Sequence, residues 1–138
     1  MELIVSPEVL GICRLKPDAG VPRWALRSPF FSVTRTQDEL SVVCAESLIP
    51  EDVACEGGWR CFQVHGPLDF SLTGILASLA APLAEAGVSI FALSTYNTDR
   101  ILVKEAQIGR ARNVLTQQGH HIIEQSDCYD CYGPNRGS

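Results

Sequence analysis

Long hydrophobic runs are missing from this chain. Nothing approaches the roughly 18 consecutive apolar residues a membrane-spanning helix requires, so no such span is expected. Basic charge is scarce too. Eleven Lys and Arg face sixteen Asp and Glu, for a net charge of −5; with no basic stripe to neutralise phosphates, the balance argues against nucleic acid as a partner. The start, Met1-Glu2-Leu3-Ile4-Val5, has neither a basic n-region nor a signal-like apolar core, so export is not expected and the cytoplasm is the default setting. Catalytic signatures are also absent. There is no G-x-S-x-G elbow and no paired carboxylate, and Gly66 and Gly74 stand too far apart for G-x-G-x-x-G. An enzyme is not expected.

The rest of the composition is ordinary for a globular protein: 138 residues, 46% apolar and 20% charged, enough for one domain or two very small ones sharing a core. Four of the six cysteines, Cys13, Cys44, Cys55 and Cys61, are scattered among apolar neighbours and read as small buried hydrophobes in a reducing compartment. The other two form Cys128-x-x-Cys131, half of a zinc site by spacing. His120-His121 precede them, but adjacent residues of a strand point to opposite faces. No second C-x-x-C completes the set, so no bound metal is expected and a small metal-binding protein stays a minor alternative.

The organising stretch is His65–Val103. His65-Gly66-Pro67 ends a strand, because Pro cannot donate to a ladder and Gly tolerates tight turns. Asp69 or Ser71 can cap the helix that comes next. Leu72, Ile75, Leu76, Leu79 and Leu83 recur at three- and four-residue spacing, one apolar helical face. Ala77, Ala80, Ala81 and Ala84 leave the second face bland, which predicts packing against another domain or a second copy of the chain. Pro82 predicts a bend and Gly87 a stop. Two strands, 88–94 and 100–103, flank the polar turn Thr95-Tyr96-Asn97-Thr98-Asp99.

Elsewhere, Glu2–Val5 and Val9–Leu15 read as strands able to pair as a hairpin. The three prolines between Lys16 and Pro29 allow at most a turn or two of helix around Arg23–Leu26. Strands are expected at Phe30–Thr34 and Glu39–Cys44, and Pro50 can open a short helix through Ala54. Gly57-Gly58 looks like a domain boundary before a strand at Trp59–Val64. Glu105–Gln118 reads as a helix with Ile108, Ala111, Val114 and Leu115 inward and Gly119 as its stop. A last strand, His120–Gln125, precedes a polar tail containing Gly133-Pro134, expected to be loose.

An internal repeat lies in this order. FSVTRTQDELSVV (Phe31–Val43) aligns without gaps on FALSTYNTDRILV (Phe91–Val103), matching Phe31 to Phe91 and Glu39 to Asp99. The expectation is an α+β protein of two βαββαβ units, residues 1–57 and 58–125, with 126–138 as a flexible tail. The first unit is reduced and permuted, with Glu2–Val5 as its fourth strand.

A tandem pair with GPLDFSLTGILASL and ALSTYNTDRILV in its second unit resembles the ACT-domain proteins of the CASTOR type. These are small bacterial amino-acid-binding-like proteins and their eukaryotic arginine-sensor relatives. The resemblance implies a ferredoxin-like fold, a site for a small molecule, typically an amino acid, at an interface between ACT units, and no catalysis or cofactor. It assigns the ligand-facing roles to Gly66, Pro67, Leu68, Asp69, Phe70 and Ser71 and to Ser94, Thr95, Tyr96, Asn97, Thr98 and Asp99. The chemistry is compatible. Backbone N–H groups at a helix start favour a carboxylate, and Asp99 can pair with an ammonium. Ser71-Leu72 stand where the arginine-sensing relatives carry acidic residues, so arginine itself is not implied. The plainer readings are that Asp99 is a turn residue bonding its own backbone and that Asp69 is a helix cap. The function so implied is a regulatory, non-catalytic amino-acid sensor acting on a protein partner or as a homodimer; the alternative is an interaction module without ligand.

Overall fold

A computed structural model describes residues 1–65 and 74–125. Its strands and helices run in the order β1 (Glu2–Val5), β2 (Leu10–Leu15), α1 (Arg23–Leu26), β3 (Ser32–Arg35), β4 (Leu40–Ala45), β5 (Ala54–Val64), α2 (Ile75–Glu85), β6 (Ile90–Ser94), β7 (Asp99–Lys104), α3 (Ile108–Gln117) and β8 (His121–Glu124). The fold is α+β, as expected. The backbone divides into two compact units: Glu8–Trp59, and Met1–Pro7 together with the described residues from Arg60 onward.

Within Glu8–Trp59, β2 pairs antiparallel with β4 on one side and with residues 54–59 of β5 on the other, and β3 pairs with β4. The resulting order, β3-β4-β2-β5, is the ferredoxin-like arrangement. Its first helix is only the four residues of α1, as the prolines around it dictate. Ala25 of α1 is fully buried in a small core with Cys13, Leu40, Val42 and Cys44. The second helix is missing. Pro50 opens a turn closed by the Val53 N–H on the Pro50 carbonyl at 3.2 Å, not the helix through Ala54 expected from sequence. The chain must already be extended at Ala54 to pair with Arg14, which leaves no room for a helical turn.

In the other unit, β5 pairs with β7 and β7 with β6, while β1 lies between β5 and β8. Two expectations about β1 are overturned. It forms no hairpin with β2, and it does not complete the first unit. Leu3 faces Val64 antiparallel and Ile122 in parallel, so β1 widens the sheet of the second unit; the fourth strand of the first is the start of β5. Side chains at alternate positions of these strands (Leu3 and Val5, Phe62 and Val64, Ile101 and Val103) turn to one face and are buried against Leu79 and Leu83 of α2 and Ala111 and Leu115 of α3.

Gly57-Gly58 lies beside the division between the units, which falls between Trp59 and Arg60, but the backbone there is strand. Both lie inside β5, where Gly58 has φ +76° and the pairing with β2 shifts register between Leu10 and Ile12, a bulge of the kind that glycine in the left-handed region permits. The Gly58 N–H is held by Glu46 Oε1 at 2.7 Å. Gly74, at φ +76°, is the N-cap of α2 and offers no side-chain bond; the cap candidates Asp69 and Ser71 lie outside the described residues. The helix continues one turn past Pro82 and ends where the Val88 N–H reaches the Leu83 carbonyl at 2.9 Å, the closure Gly87 makes possible. Its alanine face is not packed among the described residues: Ala77, Ala81 and Ala84 are exposed.

Candidate functional site

The six candidates from Gly66 to Ser71, and the tail 126–138 with Cys128 and Cys131, lie outside the described residues. The other six candidates gather at the tip of the β6–β7 hairpin. Pairing of Ser94 with Asp99 ends the ladder, and the Thr95 N–H closes the turn on the Thr98 carbonyl at 2.8 Å. The Thr95 hydroxyl donates to the same carbonyl at 3.1 Å and accepts from the Thr98 N–H at 3.4 Å. Thr suits this position because its hydroxyl can bond backbone groups that the turn leaves unpaired.

Two contacts orient the polar groups. Ser94 Oγ donates to Asp99 Oδ1 at 2.7 Å, so the half-buried carboxylate is held by a side chain across the hairpin, not by its own backbone as a plain turn residue would be. Thr98 is one of the few buried polar residues and donates its hydroxyl to the Val64 carbonyl at 2.6 Å. That bond ties the turn to the end of β5, two positions before Gly66. Tyr96 stands 80% exposed at the tip beside exposed Asn97. The cluster offers one carboxylate, several hydroxyls and an aromatic ring on a braced turn, groups suited to an ammonium and a small polar body.

The structure also corrects the repeat. The hairpin β3–β4 closes in the same way: the Thr36 N–H meets the Glu39 carbonyl at 2.9 Å, and the Thr36 hydroxyl takes the Glu39 N–H at 3.2 Å. A 3-10 turn comes after each hairpin, at Glu46–Leu48 and Glu105–Gln107. Thr36 and Thr95, Glu46 and Glu105, and Ile49 and Ile108 are each 59 positions apart, whereas Phe31 and Phe91 are 60 apart. The gapless alignment is therefore one residue out of register, and in a strand one residue moves each side chain to the opposite face. In the true register Asp99 corresponds to Leu40 and Thr98 to Glu39. The Thr-x-x turn and the shared Glu-x-x-Ile are the signals that fix it.

A groove among the described residues lies away from this turn. It has a volume of about 340 Å³ in the Glu8–Trp59 unit, is lined in part by Cys13, Arg14, Glu39, Ser41, Cys55 and Glu56, and contains none of the predicted site residues. Sequence reasoning assigns it no role. Among the described residues no group of three or more His, Cys, Asp or Glu is placed to hold a metal ion, and no helix is long and apolar enough to cross a membrane. His121 lies exposed on β8, while His120 is half-buried, and burial first, then the neighbouring amino terminus, pushes its pKa down.

A family model described as an ACT domain matches residues 54–117, and a second, for an N-terminal domain, matches residues 8–52. The human cytosolic arginine sensor for mTORC1 subunit 1 is 33% identical over 97 residues, covering 64% of this chain and 30% of that protein. The mouse protein of the same name is 32% identical over 98 residues, with 65% and 30% covered. The chain thus spans about a third of the length of these relatives. Among solved structures, protein Atu0741 from Agobacterium tumefaciens is similar at 38% identity and a TM-score of 0.84, over 89% of this chain and 92% of that one. The aspartokinase alpha and beta subunits share the fold alone, at 16% identity and a TM-score of 0.61, over 86% and 97%.

Proposed function

We propose, from the ACT domain matched over residues 54–117, that the chain is a non-catalytic regulatory protein that senses a free amino acid. The ligand site is the Ser94–Asp99 turn with the adjoining segment 66–71. The observation that supports this most is the Thr98 hydroxyl on the Val64 carbonyl: it braces the turn against the strand end from which that segment departs. A zwitterion needs an anionic partner for its ammonium and N–H donors for its carboxylate. Asp99, steadied by Ser94, supplies the first, and the resemblance assigns the second to the segment 66–71, outside the described residues. On this reading the two units are ACT-like repeats, the first reduced, and the protein works in the cytoplasm by presenting a ligand-dependent surface to a protein partner or a second copy of itself. The human and mouse arginine sensors make an amino acid the natural ligand class, while Ser71-Leu72 point away from arginine.

A thermal-shift screen of the common amino acids at millimolar concentration tests the proposal. A ligand that binds only the folded state adds about 2.7 kcal/mol of stability at a hundred times its Kd, so a true ligand raises the melting temperature in a saturable way. If no amino acid shifts it, the sensor reading gives way to an interaction module without ligand.

A further inference from the structure

Three thiols that the sensor reading leaves unused converge on one face of the Glu8–Trp59 sheet. Cys13 on β2 stands directly opposite Cys55 on β5, and Cys44 on β4 directly opposite Gly11; Gly11 and Cys13, two apart in a strand, share a face. Gly11 makes room for the cluster. A Cβ added there would lie 2.8 Å from Cys55 Sγ and 2.5 Å from Ile49 Cδ1, so the Cys55 sulfur leans over β2. Cys13 and Cys44 are buried and Cys55 is exposed. The groove of about 340 Å³ belongs to the other face of this sheet: Arg14, its partner Ser41, and Glu56 in its walls stand one position along from the thiols.

We propose that Cys55 is a thiol-oxidation site, and that a low-molecular-weight disulfide reaching exposed Cys55 from solvent is exchanged for a cross-strand Cys13–Cys55 disulfide. The division of labour follows from burial. Desolvation first, and the neighbouring Cys55 second, push the Cys13 thiol up to about 12, so Cys13 keeps its proton until a reactive sulfur is beside it. Exposed Cys55 begins the exchange. Its thiolate attacks one sulfur of the small disulfide, whose S–S bond breaks, and the departing thiolate takes up the proton that Cys55 has lost. Cys13 then gives up its proton, its sulfur attacks Cys55 Sγ, and the second small thiolate leaves and is protonated. Two protein thiols are oxidised by two electrons, and one small disulfide is reduced to two thiols.

Geometry selects the partner. Directly opposed residues of an antiparallel pair have Cα atoms about 4.5 or 5.5 Å apart, inside the roughly 4.4–6.8 Å that a disulfide spans. Cys44 sits one strand further away, at about twice the 4.8 Å strand spacing, out of bridging reach.

The test treats the reduced 138-residue chain with oxidised glutathione, alkylates the remaining thiols and maps the peptides. The expected product links Cys13 to Cys55, is lighter than the reduced chain by about 2 Da, and reverts with reductant. Cys44→Ser forms the same link; Cys55→Ser forms none and leaves Cys13 fully alkylated. The proposal is overturned if Cys55 stops as a stable glutathione adduct with Cys13 still alkylated, if it joins any cysteine other than Cys13, or if it stays unmodified. Because the decisive mapping is done on the unsubstituted chain, misfolding of a variant would not obscure the result.

Discussion

Aligned in their true register, the hairpins β3–β4 and β6–β7 share nearly everything that makes a hairpin and differ in the groups that make a site. Both turn on a threonine whose hydroxyl serves backbone groups, and both feed buried strands into a 3-10 turn that starts with glutamate. Where the first has Glu39 and buried Leu40, the second has Thr98, tied into β5, and Asp99, tied to Ser94. Conversely, a proline turn succeeds the first hairpin and the packed helix α3 the second. The shared features are those that local backbone chemistry demands; the different ones give the second copy the larger core and, on the proposed reading, the ligand chemistry.

The largest expected effect comes from α3, for which the first unit has no counterpart. Leu115 is 1% exposed in the main core, and Leu115→Ala should cost about 2–5 kcal/mol in chemical denaturation through lost burial and the cavity left behind. Ile49→Ala, next to the shorter turn of the other unit, should cost clearly less. Equal costs would mean that each unit depends to the same degree on the segment after its hairpin.

A middle-sized effect separates Thr98 from Glu39. Thr98→Val keeps the shape but strands the Val64 carbonyl, which should cost about 1–3 kcal/mol. Glu39→Ala, at the matching turn position, should stay within about 0.5 kcal/mol. If Thr98→Val proves equally neutral, the bracing of the turn is not structural.

The smallest concerns the pair Arg112–Glu124, which links α3 to β8 and has Arg112 Nη2 on Glu124 Oε1 at 3.1 Å. Hydrogen bonding to Arg112 holds the Glu124 carboxyl below its usual 4.5. A carboxyl with a depressed folded pKa contributes its stability above the unfolded value and loses it as pH falls through the folded one. The effect should be under about 1 kcal/mol, since the two side chains are 33% and 41% exposed. Denaturation of Glu124→Gln should be less sensitive to pH below about 4.5 than that of the unsubstituted protein; identical profiles would leave the pair without energetic weight.

Residue order alone reveals the parts of each unit that local geometry decides. The short α1, the inward face of α3 at Ala111 and Leu115 and the glycine stops at Gly87 and Gly119 are legible, because they rest on proline content, helical spacing and a positive φ. The place of β1 is not, since three apolar residues in a row fit any sheet and only long-range pairing with Val64 and Ile122 decides. Gly57-Gly58 marks the neighbourhood of the boundary at Trp59–Arg60 but not its form, because two glycines serve a bulge as well as a linker. The repeat is visible but misregistered, because matching Phe31 to Phe91 and Glu39 to Asp99 weighs side-chain likeness above the turn threonines. The proposed site is half legible. The polar residues of the Thr95–Asp99 turn suggest it, whereas the Thr98–Val64 tether joins residues far apart in sequence and carries no local signature.

That ligand chemistry resides in the second hairpin alone is tested most directly by calorimetric titration of the best amino acid from the screen into the unsubstituted protein, Asp99→Ala and Glu39→Ala. Saturable binding that survives in Glu39→Ala and disappears in Asp99→Ala, with both variants folded, is the predicted result. Binding undiminished in Asp99→Ala, or lost in Glu39→Ala instead, would contradict it.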